Sequence, residues 1–452
     1  MEIVYQGDQD IIQLISVFKN NAIYSPSSYL LRKEMDDGTL LLNGLTGEVI
    51  LLSAEEKYLF DKLPAPICEQ LRPLATHGFI IPETVQEERR IEQLRSIFLK
   101  RRETEGVITR YIILPTTNCN ARCFYCYESN IKHVNMTKET AEKLVDYISK
   151  HHGDKRIGLS WFGGEPTLGK KRIDQICCRL KELGISYTSD IVSNGYLFDR
   201  ELVKQAKDLW HLHKVQITLD GTEEVYNKTK AYVGIKDNAY QRVIRNIGYF
   251  LDEKIHVSIR LNMDNHNVEN SKVLIDELAE RFGGDENFAV YVRQLHDDVG
   301  FSPIPHSEND LLRLKEQFLG IQQKLEKVGW PQIRDNTLPK LKVCFCMADD
   351  PCSVQCTPDG ILGKCEDCIY DHTVGTLEDG IINDEEIKRW REVEPLDNCA
   401  KCVLRPSCTH LLKHCATKPT ECPVTEKEYK IKLYYEKMEK VYEEWKSALS
   451  NA

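Results

Sequence analysis

The sequence predicts an α/β protein in which a parallel sheet lies between two smaller regions of different character. Between residues 108 and 293, strand-like segments alternate with amphipathic helical patterns. Segments that alternate in this way favour a parallel sheet with crossover helices. The first hundred residues show strand patterns followed by helical ones, and eleven of the 17 cysteines lie between Cys344 and Cys422. We therefore expect an α+β N-terminal region and a cysteine-rich C-terminal region around the sheet.

Composition narrows the class of protein. The formal net charge is −10, and no block of lysine or arginine suggests a nucleic-acid partner. No run of about 18 apolar residues predicts a membrane span. The first ten residues resemble neither a signal peptide nor a transit peptide, so we expect a cytoplasmic protein. Seventeen cysteines are many for such a protein, and metal binding explains them better than disulfides do.

The N-terminal region begins with a predicted β-hairpin. Residues 29–34 and 39–43 flank an Asp-Asp-Gly turn, and a third strand is expected at 48–52. A Ser-x-x-Glu capping box after that strand starts the first of three helical patterns. Three short strands followed by three helices can form a small domain with its own sheet edge.

Three cysteines follow the first strand of the predicted parallel sheet. Cys119, Cys123 and Cys126 form a C-x3-C-x2-C run just after the apolar residues 111–114. Thiolates at this spacing can hold three irons of a [4Fe–4S] cluster, which uses four cysteines when fully ligated. One iron would then stay open to another donor. The alternative is a structural zinc site, but zinc motifs usually come as two C-x2-C pairs or with histidines.

Polar or glycine-rich motifs recur where the predicted strands end. Gly163-Gly164-Glu165 follows the second strand and Ser193-Asn194-Gly195 the third. Asp220 follows the fourth strand, while Arg260 and Asn262 end the fifth. The carboxyl ends of parallel strands meet at one edge of a sheet, where ligands bind. The six predicted strands are 108–114, 157–162, 186–193, 213–219, 255–262 and 287–293.

The cysteine run and these motifs together resemble the radical S-adenosylmethionine (SAM) family. The resemblance implies a partial (β/α)6 TIM-like barrel and a [4Fe–4S] cluster whose open iron binds SAM. In that family one electron cleaves SAM to methionine and a 5′-deoxyadenosyl radical, which abstracts a hydrogen atom. The residues that the resemblance assigns to cofactor binding are Tyr125, Gly163, Gly164, Glu165, Ser193, Asn194, Asp220, Arg260 and Asn262.

The second cysteine block resembles the SPASM domain of radical SAM maturases, which commonly holds two auxiliary [4Fe–4S] clusters. Carried across residue by residue, one cluster would use Cys346, Cys352, Cys365 and Cys415, and the other Cys399, Cys402, Cys408 and Cys422. Six residues separate Cys408 from Cys415 where the family commonly has three. Cys344, Cys356 and Cys368 have no place in the pattern. One or two zinc sites remain the alternative.

An acidic residue follows one of these cysteines. In the sulfatase-maturase branch of the family, an acidic residue at the position of Glu366 serves as a general base. A carboxylate beside a cluster could take that role if burial raises its pKa. The alternative is a solvated turn residue. The resemblance makes Glu366 the candidate catalytic residue.

The resemblance implies a peptide-modifying enzyme with three [4Fe–4S] clusters and SAM. Its N-terminal region resembles winged-helix domains that capture the leader of a ribosomally synthesised precursor peptide by β-augmentation. A flavodoxin- or ferredoxin-type protein is the expected electron donor. The expected domains are a leader-recognition domain at 1–103, the barrel at 104–300, a linker with bridging helices at 301–343, the SPASM domain at 344–425 and a C-terminal helix at 426–452.

The expected product is a crosslink in the precursor. A thioether of the sactipeptide or ranthipeptide type is the first expectation, and a carbon–carbon bond the second. An anaerobic sulfatase maturase that forms formylglycine is the enzymatic alternative. The N-terminal domain argues against it, because such enzymes start close to the radical motif. A metal-binding scaffold without catalysis is the alternative from another class.

Overall fold

The computed structural model describes residues 1–16, 18–19, 21–263, 267–295, 308–330, 338–396, 399–415, 422 and 424–450. Within the linker expected at 301–343, residues 301–307 and 331–337 lie outside the described residues, and the described part contains one long helix. Within the described part of the chain, none of the helices is both long and apolar enough to cross a bilayer.

The N-terminal region contains two small antiparallel sheets. Its elements are β1 (Glu2–Tyr5), α1 (Gln9–Ile15), β2 (Ile23–Pro26), β3 (Leu30–Met35), β4 (Gly38–Asn43), β5 (Val49–Leu52), α2 (Ala54–Phe60), β6 (Ala65–Pro66), α3 (Arg72–Thr76), β7 (Ile80–Pro82) and α4 (Glu87–Glu105). The larger sheet has the order β1-β5-β4-β3, and the smaller has the order β6-β2-β7. The predicted hairpin is confirmed, with Met35 paired to Gly38 across its turn.

Local sequence explains much of this region. Ser53 accepts from the backbone N–H of Glu56, and the Glu56 side chain accepts from the backbone N–H of Ser53, which confirms the capping box. The sequence patterns missed β1, which pairs antiparallel with β5. That pairing covers the outer edge of the third predicted strand, so the free edges of the sheet are those of β1 and β3. The open edge available to a peptide is therefore that of β3, the first strand of the hairpin, and not that of β5.

The centre of the chain forms the predicted parallel barrel sheet. Its elements are β8 (Arg110–Thr116), α5 (Lys138–His151), β9 (Ile157–Gly163), α6 (Lys170–Glu182), β10 (Tyr187–Ser193), α7 (Arg200–Asp208), β11 (Leu212–Thr218), α8 (Glu223–Lys230), α9 (Ala239–Asp252), β12 (His256–Met263), α10 (Val268–Phe282), β13 (Phe288–Gln294) and α11 (Glu308–Lys327). The strands β8 to β13 are neighbours in sequence order. All six predicted strands are confirmed within two residues at each end.

Alternation along the strands separates a helix-covered face from an inner face. On β8, Tyr111 and Ile113 pack in the large core under the helices. Ile112 and Leu114 belong to a separate cluster that also contains Ile369 from the C-terminal region. Because successive side chains of a strand point to opposite faces, the second cluster marks the inside of the barrel. The C-terminal region therefore contributes side chains to the barrel interior.

The cysteine-rich region continues the barrel sheet. Its elements are β14 (Ser353–Cys356), β15 (Ile361–Gly363), β16 (Gly375–Thr376), β17 (Gly380–Ile381), α12 (Asp384–Arg391) and α13 (Val424–Ser450). The strand β14 pairs parallel with β8, and β15 to β17 follow it antiparallel. Residues 357–360 form the turn between β14 and β15. A ten-stranded sheet thus joins the barrel to this region.

The helix α4 links the N-terminal region to the first part of the cysteine-rich region. Arg95 on α4 forms a buried ion pair with Asp349 at 3.1 Å. The Asp349 carboxylate also accepts from the backbone N–H groups of Phe345 and Cys346. The Arg95 guanidinium lies 3.8 Å from the centre of the Phe345 ring. The conformation of the loop that carries Cys346 therefore depends on a residue of α4.

Replacing Arg95 by methionine should destabilise the protein strongly. The change leaves the fully buried Asp349 carboxylate without its cation, and loss of one partner of a buried pair costs about 3–5 kcal/mol. Thermal unfolding followed by circular dichroism measures the effect. Arg200→Met is the matched control, since Arg200 pairs with exposed Asp252 and lies over the Tyr249 ring. The control should cost about 0–1 kcal/mol. If the two changes destabilise the protein equally, the Arg95–Asp349 ion pair does not have the proposed importance.

Candidate functional site

The three clustered cysteines lie on a loop at the carboxyl end of β8. Cys119, Cys123 and Cys126 are each partly buried. Burial raises the pKa of Cys119 to about 12 and that of Cys126 to about 11. Burial thus disfavours the thiolate forms of Cys119 and Cys126. Bound iron would supply the positive charge that stabilises the thiolates, so ligation would release protons.

The donor set of this loop is the kind that a [4Fe–4S] cluster uses. Each iron of such a cluster takes one cysteine sulfur, so the sulfurs need not converge on a single point. In the described part of the chain, no three or more histidine, cysteine, aspartate or glutamate side chains converge as ligands of one metal ion. The three thiols of the loop are the donor type that such a cluster takes, so the loop fits the cluster in its chemistry.

The glycines at the end of β9 pack against the backbone that precedes Cys119. Gly163 has a positive φ of 106°, and a Cβ atom there would lie 2.4 Å from the Thr116 carbonyl oxygen. A Cβ atom on Gly164 would lie 2.3 Å from the Asn118 carbonyl oxygen. Such distances are too short for real Cβ contacts, so both positions require glycine. These glycines therefore let the end of β9 approach the backbone that precedes Cys119.

Glu165 connects the end of β9 to the end of β10 through hydrogen bonds. Its side chain is fully buried, and its carboxylate accepts from the Thr167 backbone N–H at 3.1 Å. It also accepts from the Ser193 hydroxyl at 2.9 Å and the Asn194 backbone N–H at 2.8 Å. Burial raises the pKa of Glu165, although these hydrogen bonds oppose the shift. Glu165 and Ser193 therefore pair with each other beside the cysteine loop.

A second polar contact runs from β10 to the cysteine loop itself. The Asn194 side-chain amide donates to Asn120 Oδ1 at 2.7 Å. Among the described residues, the Asn120 Nδ2 atom is buried without a hydrogen-bond partner. A buried donor of this kind usually has a partner, such as a ligand or an ordered water. Asn120 lies next to Cys119, so its free donor is an independent sign of a ligand at this loop.

Tyr125 and Asp220, both assigned from sequence, meet at a buried lysine that the sequence reasoning missed. The Tyr125 hydroxyl donates to Asp220 Oδ2 at 2.7 Å. The Lys230 ammonium lies 3.0 Å from the same oxygen and donates to the Tyr125 hydroxyl at 2.9 Å. Burial works against the charge of Lys230, but attraction to Asp220 raises its pKa above the ordinary value. Lys230 therefore carries a positive charge in the interior.

Arg260 and Asn262 lie on the inner side of β12. The Arg260 guanidinium donates to Asn262 Oδ1 at 2.8 Å. The backbone carbonyl of Asn262 accepts from the Asn267 amide, which also donates to the Asp220 carbonyl. Hydrogen bonds through Asn267 therefore connect Arg260 and Asn262 to the backbone of Asp220. The Arg260 charge opposes the raised pKa of Asp367, so the guanidinium faces an acidic residue of the C-terminal region.

Glu366 points into the barrel. Its nearest charged groups include Arg110 on β8, Asp190 on β10 and Arg260 on β12. Burial raises the pKa of Glu366, and the neighbouring Asp367 carboxylate adds to the shift. The side chain is accessible to solvent, and charged groups from three separate strands lie near it.

Other side chains on the inner face of the barrel are also polar. Ser160 donates to Asp190 at 3.0 Å, and Tyr291 donates to Gln216 at 2.8 Å. Glu128 lies two residues after Cys126, and burial raises its pKa to about 7. Alternation along the strands could have identified the inward-facing residues among these, which are Ser160, Asp190, Gln216 and Tyr291. No sequence pattern distinguishes Glu128 from an ordinary loop residue.

Three of the assigned auxiliary cysteines, taken from both assigned sets, lie in one apolar cluster. Cys399, Cys408 and Cys415 pack around Leu411 and its neighbours. Burial raises the pKa of Cys408, with smaller contributions from Cys399 and Cys402. Burial also raises the pKa of Cys346 to about 11, and Cys415 adds to that shift. The sulfur of Cys415, which the spacing left uncertain, is thus near that of Cys346.

The surplus cysteines have separate surroundings. Cys356 is buried in the main core on β14. Arg102 of α4 donates to the Cys344 sulfur at 3.2 Å. Cys368 shares a hydrogen bond with Cys365, which raises the pKa of the Cys365 thiol. Cys356 is therefore a core residue, whereas Cys344 and Cys368 lie near assigned cysteines.

Comparison with known sequences identifies the central domain. Residues 113–278 match the Radical SAM superfamily. The chain is 24% identical over 255 residues to the radical SAM cyclopropyl synthase TigE of Paramaledivibacter caminithermalis, covering 49% of this chain and 52% of that protein. It is 24% identical over 154 residues to a cysteine-type anaerobic sulfatase-maturating enzyme of Clostridium novyi, covering 32% of this chain and 40% of that enzyme. The chain thus spans about half the length of these relatives or less.

Solved structures share the fold. The structure of anSMEcpe with bound AdoMet and Cp18Cys peptide aligns with a TM-score of 0.57 at 16% identity, covering 74% of this chain and 99% of that chain. Streptococcus suis SuiB aligns with a TM-score of 0.50 at 14% identity, covering 85% of this chain and 95% of that chain. At these identities the likeness concerns the fold.

Replacing Gly163 by alanine should displace the cysteine loop. The new Cβ atom would meet the Thr116 carbonyl oxygen at 2.4 Å, three residues before Cys119. We expect a lower unfolding temperature and less iron bound after anaerobic reconstitution. Gly184→Ala is the control, because Gly184 also has a positive φ but a Cβ atom there meets no neighbour within 4 Å. Its cost should be about 1–2 kcal/mol from the left-handed backbone alone. Unchanged iron in Gly163→Ala would contradict the assigned packing.

Proposed function

We propose that this chain, which belongs to the radical SAM superfamily through residues 113–278, is a maturase that crosslinks a ribosomally synthesised peptide. One observation carries the proposal. Tyr127, which follows Cys126, packs with Ile369 in the inner-face cluster, so the cysteine loop and the segment that carries Glu366 meet inside the barrel. A site with a radical source and a proton acceptor in the same cavity suits hydrogen abstraction followed by bond formation.

The proposed ligands follow the assignments made from sequence. Cys119, Cys123 and Cys126 hold the cluster that binds SAM, and the free donor of Asn120 and the free oxygen of Asp220 face the cofactor. When bound, the cluster and SAM supply a radical that removes a hydrogen atom, and further clusters supply an electron acceptor. The auxiliary ligands are Cys346, Cys352, Cys365 and Cys415, and then Cys399, Cys402, Cys408 and Cys422.

The protein's own contribution is to hold the peptide and to remove a proton. Thioether formation joins a substrate sulfur to a substrate carbon and removes two hydrogens. The carbon loses a hydrogen atom, the thiol loses a proton, and the remaining electron leaves to an acceptor. Glu366 receives the proton, since a raised pKa makes its carboxylate a stronger base. Arg110 and Arg260 nearby favour its ionised form.

A carbon–carbon crosslink is the second product that the same cavity could form. It needs no thiol, so the proton would come from a carbon centre and Glu366 would matter less. Formylglycine formation is a second candidate function, favoured by the TM-score of 0.57 to anSMEcpe. Mass analysis of the peptide separates these outcomes, because a crosslink joins two residues whereas formylglycine changes one.

The N-terminal domain at 1–103 is proposed to bind the leader of the precursor. Within the described residues, β3 pairs only with β4, so its outer edge offers backbone groups to an extended peptide. A groove of about 490 Å³ lies beside it, between Lys33 of β3 and Ile431 and Tyr435 of α13. A leader strand paired with β3 would place alternate side chains against α13. A flavodoxin- or ferredoxin-type protein is the proposed electron donor.

The iron content tests the assignment of the first cluster. Anaerobically reconstituted protein should hold about twelve irons, and joint replacement of Cys119, Cys123 and Cys126 by alanine should remove about four. The same change should abolish reductive cleavage of SAM to 5′-deoxyadenosine. Cys178→Ala is the control, because Cys178 is exposed and lies outside both cysteine motifs. Zinc in place of iron after strictly anaerobic isolation would contradict the cluster assignments.

A substitution in the groove tests leader binding better than truncation does. Removal of residues 1–103 would take away Arg95 and with it the support of the loop that carries Cys346. Tyr435→Ala should instead raise the KM for precursor about tenfold with little change in kcat, as loss of uniform binding does. Lys440→Ala on the exposed side of α13 is the control. An unchanged KM in Tyr435→Ala would remove this groove from the leader site.

A further inference from the structure

A lysine lies behind the first cysteine loop, where the main chain and the side chain both contact functional residues. Lys230 is 3% exposed. Its ammonium contacts Asp220 Oδ2 at 3.0 Å and the Tyr125 hydroxyl at 2.9 Å. It also lies 5.5 Å from the centre of the Tyr125 ring. Lys230 is thus the cation nearest to two of the residues assigned to cofactor binding.

The backbone around Lys230 is fastened to the same loop. The Lys230 carbonyl accepts from the Arg122 N–H at 2.8 Å, and the Val233 N–H donates to the Asn120 carbonyl at 2.9 Å. The next residue, Ala231, has a positive φ of 43°. That conformation is unfavourable for alanine and persists only where the surrounding structure requires it. The end of α8 is therefore held in a strained turn against the cysteine loop.

The hydrogen bonds at Asp220 are unevenly distributed between its two oxygens. Oδ2 contacts both the Tyr125 hydroxyl and the Lys230 ammonium. In the described part of the chain, Oδ1 is buried without a hydrogen-bond partner. Because two donors fix Oδ2, the carboxylate cannot rotate to satisfy Oδ1 without losing them. Oδ1 is left as an oriented acceptor beside the cysteine loop.

A purely structural explanation of this ion pair is weak. Burying two charges costs free energy that their attraction often fails to recover, and apolar residues of similar size are frequently as stable. The arrangement instead produces one result that apolar residues could not, which is a fixed carboxylate with one free oxygen. The free Asn120 Nδ2 donor on the same loop independently indicates a polar ligand.

We infer that Lys230 is a positioning residue that orients Asp220 to accept a hydrogen bond from S-adenosylmethionine. The hydroxyl and ammonium groups of that cofactor are the donors that Oδ1 suits. The inference rests on the proposed use of SAM. Lys230 acts through Asp220 and Tyr125 and touches neither the cofactor nor the reacting atoms.

Three substitutions of Lys230 test the inference on full-length, anaerobically reconstituted protein. The measured quantities are iron per chain and the Kd for SAM, obtained by equilibrium dialysis and expressed per reconstituted cluster. Lys230→Arg keeps the charge, Lys230→Gln keeps a donor without the charge, and Lys230→Met removes both. We expect the Kd for SAM to rise about threefold in the Lys230→Arg variant and about tenfold or more in the Lys230→Met variant. The reason is that a lost hydrogen bond to a charged group costs about 1.5–3 kcal/mol. The Gln variant should fall between them while retaining iron.

Arg242→Met is the matched control. Arg242 pairs with Asp237 at 3.1 Å, lies 4.6 Å from the centre of the Tyr196 ring, and Tyr196 donates to Asp237. A cation, a carboxylate and a tyrosine hydroxyl therefore meet there too, but Arg242 and Asp237 are partly exposed. The control should leave both iron content and SAM affinity unchanged.

Two results would overturn the inference. A Lys230→Met or Lys230→Gln variant that retains iron and binds SAM as tightly as the unchanged protein would show that Asp220 needs no orientation. Loss of iron from all three variants alike would show that Lys230 maintains the loop and not the cofactor contact. If the unchanged protein itself binds no SAM, the proposed function fails instead, which separates the two claims.

Discussion

The geometry of this site depends on a close contact between two backbone segments. The end of β9 can reach the loop before Cys119 only because Gly163 and Gly164 lack a Cβ atom. That contact brings Glu165 between β9 and β10, where its buried carboxylate binds groups from both strand ends. The cysteine loop is then held from one side by β9 and from the other by the segment that follows Lys230. Few degrees of freedom remain for the three sulfurs.

The C-terminal region completes the cavity that the barrel leaves open. The strand β14 extends the barrel sheet beyond β8, so the segment from Cys365 to Cys368 reaches the inner face. Glu366 and Asp367 on that segment meet the cationic side chains of Arg110 and Arg260. Charges of both signs thus lie close together on the inner side of the barrel. Such an arrangement can orient a polar peptide and also change the pKa of the groups that act on it.

The sequence predicted the elements whose signals are local. Strand periodicity located all six barrel strands, and the capping box at Ser53 located a helix start. The residues at strand ends could be assigned because parallel strands share one edge. The pairing of β1 with β5 was not predicted, because four residues of mixed polarity carry no clear strand pattern. Pairing of β14 with β8 joins residues far apart in sequence, and no local signal encodes such a contact.

The missed site residues have the same explanation. Lys230 ends an amphipathic helix and looks like any solvated lysine, although it is buried against Asp220 and Tyr125. Asn120 lies inside the cysteine motif, but its free donor depends on the position of Asn194. Arg95 belongs to a charged helix and yet supports a cysteine loop more than two hundred residues away. Tertiary contacts decided these roles.

Transfer of hydrogen from peptide to cofactor tests the central claim most directly. A candidate precursor peptide, chosen from short reading frames near this gene, would be prepared with deuterium at its carbon positions and incubated anaerobically with reduced enzyme and SAM. The account predicts that 5′-deoxyadenosine acquires deuterium and that the peptide gains a crosslink. Cleavage of SAM to unlabelled 5′-deoxyadenosine, with the peptide converted nonetheless, would contradict hydrogen abstraction from a peptide carbon by this enzyme.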